Sequence, residues 1–222
     1  MQREKNYNLC LRKTENEVKA ILKKQVKNEE NFEFGGIKNI DDGFCHPGEG
    51  AKVLRKLISV FSNEDSCYFK SEKLSKAIKD LIGYLARVQR PDGTFDLLTT
   101  NFYSSPDAGF IMQELASGYK IIEKYNVELE SKEDLYKLIY NCGQGMVGGG
   151  FHTPNHRWVI SAGLMMAYNI TGDSDFKEEA NDYLEEGIDC NENGEFTERS
   201  AGIYNAENDK SLILISQTTE DN

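Results

Sequence analysis

The chain is poor in histidine, tryptophan and proline, with three, one and four residues in 222. Four prolines beside 39% apolar and 28% charged residues argue against an unfolded chain and predict a folded soluble protein, long enough for one good-sized core. Positive charge is also scarce: 26 Lys and Arg stand against 37 Asp and Glu, a net charge of −11. Phosphate neutralisation needs clustered Lys and Arg, so a nucleic-acid partner is disfavoured. An acidic ligand would have to rely on local cations and dipoles. The five cysteines (Cys10, Cys45, Cys67, Cys142, Cys190) are scattered and contain no C-x-x-C pair. That argues against a disulfide or metal framework and predicts reduced structural thiols. No stretch reaches the length of a membrane span, and the charged start, MQREKNYNLCLRKTENEVKAILKKQ, has no apolar signal-peptide core. As written the chain reads as cytoplasmic, or as periplasmic or secreted if a leader is removed.

What is abundant is helical periodicity. Val53, Leu54, Leu57, Ile58 and Phe61 recur at helical spacing, as do Leu74, Ile78, Leu81, Ile82 and Leu85. Ser105-Pro106-Asp107 reads as an N-cap, a proline at the first helical position and an acid in the first turn. Ser131 and Asp134 suggest a capping box before LYKLIYNCG. Thr153-Pro154 repeats the cap-and-proline device before NHRWVISAGLMMAYNITG, which Gly172 can close. Two further helices fit DFKEEANDYLEEGI and GIYNAENDKSLILIS, while the stretch before residue 35 is poorly periodic and no strand pattern of length is evident. The chain is predicted to be all-α, with six or seven helices. Residues 1–45 form an extension or first helix, and 46–222 form the main domain.

Two of the longer connectors share a motif, Asp92-Gly93-Thr94-Phe95 and Asn193-Gly194-Glu195-Phe196. The recurrence suggests repeated helical hairpins, each with a turn and an inward Phe; common Asp-Gly and Asn-Gly turns would also produce it.

Three segments, NFYSSPDAGF (101–110), GGGFHTPNHRWVISAGL (148–164) and GEFTERSAGIYNA (194–206), together resemble the α/α toroid domain of heparinase II/III-like polysaccharide lyases. The similarity runs over roughly residues 75 to 216. It implies a single or incomplete α/α toroid of helical hairpins, here without the family's β-sandwich region, which a further segment or a partner chain would supply. It also implies a catalytic Asn-His pair at Asn155 and His156, a catalytic tyrosine at Tyr204 and an acidic polysaccharide or oligosaccharide as ligand. Separately, the residues themselves lead us to expect no membrane partner, cofactor or metal.

β-Elimination at a uronic acid needs relief of the carboxylate charge, a base for the C5 proton and an acid for the departing oxygen. Asn155 on the first turn of its helix supplies an amide donor beside unpaired N–H groups and the positive dipole end. His156 can bind the same carboxylate or act as base. Tyr204 can exchange protons if a cation such as Arg199 lowers its pKa. His152, Asn101, Tyr103 and Asp107 are candidate substrate contacts.

Plainer roles compete throughout. Asn155 and His156 can simply satisfy a helix start, Arg199 can pair with Glu198, and Asp107 and Asn101 can serve a dipole and a turn. A zinc reading of His152-x-x-x-His156 is weak, because Pro154 places His152 outside the helix. Gly148 to Gly150 read as a permissive turn rather than a phosphate cradle. Two other functions stay open: a non-catalytic carbohydrate-binding toroid, and a glycoside hydrolase using Asp107 and Glu198 as opposed carboxylates.

Overall fold

The computed structural model describes residues 2–198, 200 and 202–220. It is all-α, with eight helices and one two-stranded sheet among those residues: α1 (Gln2–Lys24), α2 (Pro47–Phe61), α3 (Glu72–Val88), β1 (Phe95–Leu97), β2 (Asn101–Ser104), α4 (Ser105–Tyr125), α5 (Lys132–Gln144), α6 (Pro154–Thr171), α7 (Ser174–Glu185) and α8 (Tyr204–Glu220). No described helix is long and apolar enough to cross a membrane. The chain forms two compact units, one of residues 1–88 and 117–138, the other of 89–116 and 139–222.

In the first unit α1 packs on α2 and α2 on α3. The α2 and α3 faces bury all but one of the residues that the periodicity picks out, with Leu54, Leu57, Ile58, Leu74, Ile78, Leu81, Ile82 and Leu85 almost wholly enclosed and Val53 only half-buried. Helix α1 is the element that sequence reading leaves vague, and its packing shows why. Among its residues of described burial, only Val18 is fully buried. The helix docks through polar groups instead. Glu15 accepts from the Cys67 N–H at 2.7 Å and from Ser66 Oγ at 2.9 Å, and Glu17 pairs with Lys56 Nζ at 2.6 Å. An apolar template does not register such a face. Cys45, also in this unit, has its thiol pushed up to about 12 by burial and the nearby Glu33 carboxylate, which makes it inert.

In the second unit α6 packs against both α7 and α8. Its residues from Arg157 to Ala167 are all buried. A helix apolar on every side needs close neighbours, and α4 supplies one: a Cβ added at Gly109 would lie 3.0 Å from Val159 Cγ1 and 3.2 Å from its carbonyl oxygen. Gly172 ends α6 in the left-handed conformation, φ 74°, as its position predicts.

Both D/N-G-x-F connectors fold alike. Gly93 N–H donates to Arg90 O at 2.8 Å and Arg90 N–H to Thr94 O at 2.9 Å; Gly194 donates to Asn191 O and Asn191 to Glu195 O, each at 2.9 Å. Both glycines have positive φ, 90° and 80°. The first turn is packed against the Asn141 carbonyl, where a Cβ would sit at 1.9 Å, while the second has open space. Phe95 is fully buried and Phe196 half-buried. The first turn opens into the β1–β2 hairpin, which is too short to register as a strand pattern and joins Phe95 to Ser104 across a bulge.

The polar docking of α1 makes it acid-labile. The Cys67 N–H, helped by Ser66, outweighs burial and holds the Glu15 carboxyl below its ordinary 4.5. A depressed folded-state pKa contributes stability that is present above the unfolded value and lost as pH falls through the folded one. The protection factors of the amides across residues 2–24, taken relative to intrinsic exchange at each pH, are therefore expected to fall below pH 4.5, and Glu15→Ala should show the same fall at neutral pH. Protection of α1 that is equal in both chains at both pH values would contradict this.

Candidate functional site

The start of α6 is held differently from the sequence expectation. Thr153 occupies the N-cap with extended backbone, φ −66° and ψ 138°, but its side chain makes no capping bond. Thr153 Oγ1 lies instead 3.0 Å from His156 Nδ1. Pro154 has no N–H to satisfy, so the first exposed donor belongs to Asn155, and it donates to Glu198 Oε2 at 3.0 Å. A carboxylate from a loop 43 residues away thus takes the role that the Thr153 hydroxyl would have played. Asn155 itself is 4% exposed and His156 is half-buried, its ring meeting the edge of Phe151 at 6.0 Å.

One turn on lies a residue that sequence reading passed over. Arg157 is 3% exposed, yet its guanidinium bonds Glu186 Oε2 at 3.0 Å, Asp189 Oδ2, and the carbonyls of Gly187 at 2.8 Å and His152 at 3.4 Å. His152 completes the cluster, with Nδ1 2.6 Å from Glu186 Oε1 and its ring 5.6 Å from that of Tyr183, whose phenol burial pushes up in pKa. His152 and His156 therefore face different partners, a carboxylate and a hydroxyl. Trp158 packs on Phe196 of the second turn, ring centroids 5.3 Å apart. The only sequence signal for Arg157 is its place next to Trp158 in an otherwise apolar run: a cation there must be paired.

Tyr204 opens α8, where its N–H and that of Ile203 donate to Ser200 Oγ at 2.8 and 3.0 Å. Its side chain is 40% exposed. Glu198, on the same loop, reaches Asn155, whereas Tyr204 makes no hydrogen bond or ring contact with Asn155 or His156 among the described residues. Arg199, the expected cation, lies outside the described residues.

The remaining candidates gather at the start of α4. The cap is Ser104 rather than Ser105: Asp107 N–H donates to Ser104 Oγ at 3.3 Å, and that hydroxyl donates to Asp107 Oδ2 at 2.5 Å. Asp107 is thus committed to its own helix. Ser105 Oγ instead donates to Gly145 O at 3.1 Å, tying the start of α4 to the glycine loop that leads into α6. Tyr103 is 53% exposed in a left-handed conformation, φ 53°. It is fixed by its N–H bond to Asp96 Oδ1 at 2.9 Å and by the Arg90 guanidinium 4.6 Å over its ring. Burial alone would raise the Asp96 carboxyl; Arg90 and the Tyr103 N–H outweigh it and hold it below its usual value. Asn101 is exposed and pairs with Leu97 in the hairpin.

Arg157→Ala should lower unfolding stability by about 2–3 kcal/mol in urea titration, short of the full penalty for a buried pair because Glu186 and Asp189 keep 35% and 38% of their side-chain surface. Arg157→Lys should recover little, since an ammonium cannot reproduce the fork. A loss under about 0.5 kcal/mol, the size of an exposed pair, would contradict the assignment. No family model, curated protein or solved structure matches the chain.

Proposed function

We propose that the chain is a polysaccharide lyase-like protein that cleaves uronate-containing glycans by β-elimination, on helical hairpins of the α/α toroid type. One observation carries the reading. The start of α6 already holds a carboxylate, that of Glu198, on the Asn155 N–H beside His156. The Asn155 N–H and the positive dipole end of the helix make that position favourable for a carboxylate despite the acidic balance of the chain. A uronate carboxylate placed there would displace Glu198 and be held by Asn155 and His156.

The chemistry then follows from charge relief. With its carboxylate hydrogen-bonded, the sugar C5–H becomes acidic enough for removal, and the negative charge that develops is shared with those donors. The Tyr204 side chain takes the C5 proton, the freed electron pair forms the C4–C5 double bond, and the glycosidic oxygen leaves C4 with a proton returned to it. The products are an unsaturated uronate and a new free hydroxyl on the departing sugar. Arg199 would favour the phenolate, and Tyr103 would stack on a sugar ring.

A second reading, a carbohydrate-binding unit without chemistry, is favoured by the lack of any hydrogen bond or ring contact from Tyr204 to Asn155 or His156 among the described residues. The two readings differ in outcome. Tyr204→Phe should leave uronate oligosaccharide binding within about twofold, since the lost phenol serves the transition state and not the ground state. It should also abolish the ultraviolet absorbance of unsaturated product. Binding with no product from the wild-type chain would establish the binding unit, and reducing ends without unsaturation would point to a hydrolase.

Glu198→Ala addresses the carboxylate position directly. Removing the internal competitor should tighten uronate binding by about fivefold or more, on the order of one charge-assisted hydrogen bond no longer displaced. Unchanged or weaker affinity in calorimetry would remove the central support for this site.

A further inference from the structure

The first unit contains a cleft of about 650 Å³ that none of the preceding chemistry uses. It is bounded by Tyr7 of α1, the Ser62–Lys70 loop that follows α2, and the end of α4 with Tyr125. Its volume lies within the range of small-molecule sites.

The cleft is built rather than incidental. The Tyr7 hydroxyl donates to Asp65 Oδ2 at 2.8 Å and accepts from Asn63 Nδ2 at 3.0 Å, while Asn63 Oδ1 accepts the Asp65 N–H at 3.0 Å. This closed triangle fixes one aromatic wall and two polar groups relative to each other. Tyr125 is 59% exposed, with the Lys124 ammonium 5.8 Å from its ring centroid, so a second ammonium stands beside the aromatic walls of the cleft. Lys70 adopts φ 49°, a backbone state that a lysine rarely enters, and its ammonium stands 5.1 Å from the Phe69 ring. The decisive group is Ser62. It is 3% exposed, it lines the cleft, and its hydroxyl has no hydrogen-bond partner among the described residues. A buried hydroxyl is seldom left unpaired, so a ligand hydroxyl is the natural partner.

Charge selects the ligand class. Glu64 and Asp65 disfavour an anion, and the Lys70 ammonium beside Phe69 disfavours a cation seated on the aromatic faces. An uncharged ligand with a flat apolar side and several hydroxyls meets both conditions. Its ring hydrogens lie on tyrosine, and its hydroxyls donate to carboxylate and pair with Ser62. We infer that this cleft is a binding site for a neutral pyranose, as a mono- or disaccharide. The inference does not rest on the lyase reading, because no residue of the α6 site takes part in it.

Saturation-transfer NMR on the full chain tests it, with methyl glucoside and cellobiose as probes and tetramethylammonium and inorganic phosphate as charged controls. Transfer to at least one saccharide is expected, with little to either ion. Ser62→Ala should weaken saccharide binding about 3- to 10-fold, the worth of one neutral hydrogen bond, without lowering the thermal midpoint, since the hydroxyl makes no bond among the described residues. Tyr125→Leu should weaken it roughly fivefold by loss of the stacking face. Asn155→Ala should leave it unchanged. Absence of transfer to both saccharides, preference for either ion, or binding that survives both cleft substitutions but fails in Asn155→Ala would each overturn the proposal.

Discussion

Arg157 sits where an otherwise apolar helix passes through the second unit, and a guanidinium cannot remain there unpaired. Pairing it requires the chain after α7 to turn back, so that Glu186, Gly187 and Asp189 all reach α6. That return brings the loop carrying the second D/N-G-x-F turn alongside, seats Phe196 on Trp158, and delivers Glu198 to the Asn155 N–H. It also leaves one oxygen of Glu186 for His152, which draws the segment before α6 into the same cluster. The ion pairs serve less as a source of stability than as a constraint on where two loops can lie.

The same constraint shapes the chemistry at the helix start. Proline at the first position removes one unsatisfied donor, and Glu198 answers the next. A carboxylate held this way is both support and competitor for an anionic ligand. The proposed lyase site is thus occupied by the protein's own acid, and its use is linked to the freedom of the loop that bears Glu198. Buried polar groups recur elsewhere in the second unit. Helix α8 turns Asn208, Ser211, Ile215 and Thr218 inward while Ile213 stays exposed, and Gln113 of α4 donates to Ser211 Oγ at 3.3 Å.

Legibility in the sequence tracks how each segment is buried. Helices α2 and α3 bury leucine and isoleucine at regular spacing and are apparent at once. Helix α6 is apparent from its proline, its apolar run and Gly172. Helix α1 presents glutamates and a tyrosine hydroxyl to its neighbours, and α8 turns amide and hydroxyl groups inward, so an apolar template describes both poorly. The hairpin at 95–104 is three and four residues long and is held by Asp96 and a bulge, features with no periodic trace. At the candidate site, Asn155, His156, His152 and Tyr103 stand out by residue type. Arg157 does not, because its role depends on acids 29 and 32 residues away.

By itself, then, the sequence determined the helical class, most helix limits and the conformation of the repeated glycine turns, because these follow from local sterics and side-chain spacing. Tertiary structure decided which cap is used, with Ser104 taking the place expected of Ser105, and which acid neutralises which cation. It also decided that Glu198 rather than Thr153 answers the first donor of α6. Such choices turn on long-range loop closure and on the cost of an unpaired buried polar group, and neither is written in any single stretch of chain.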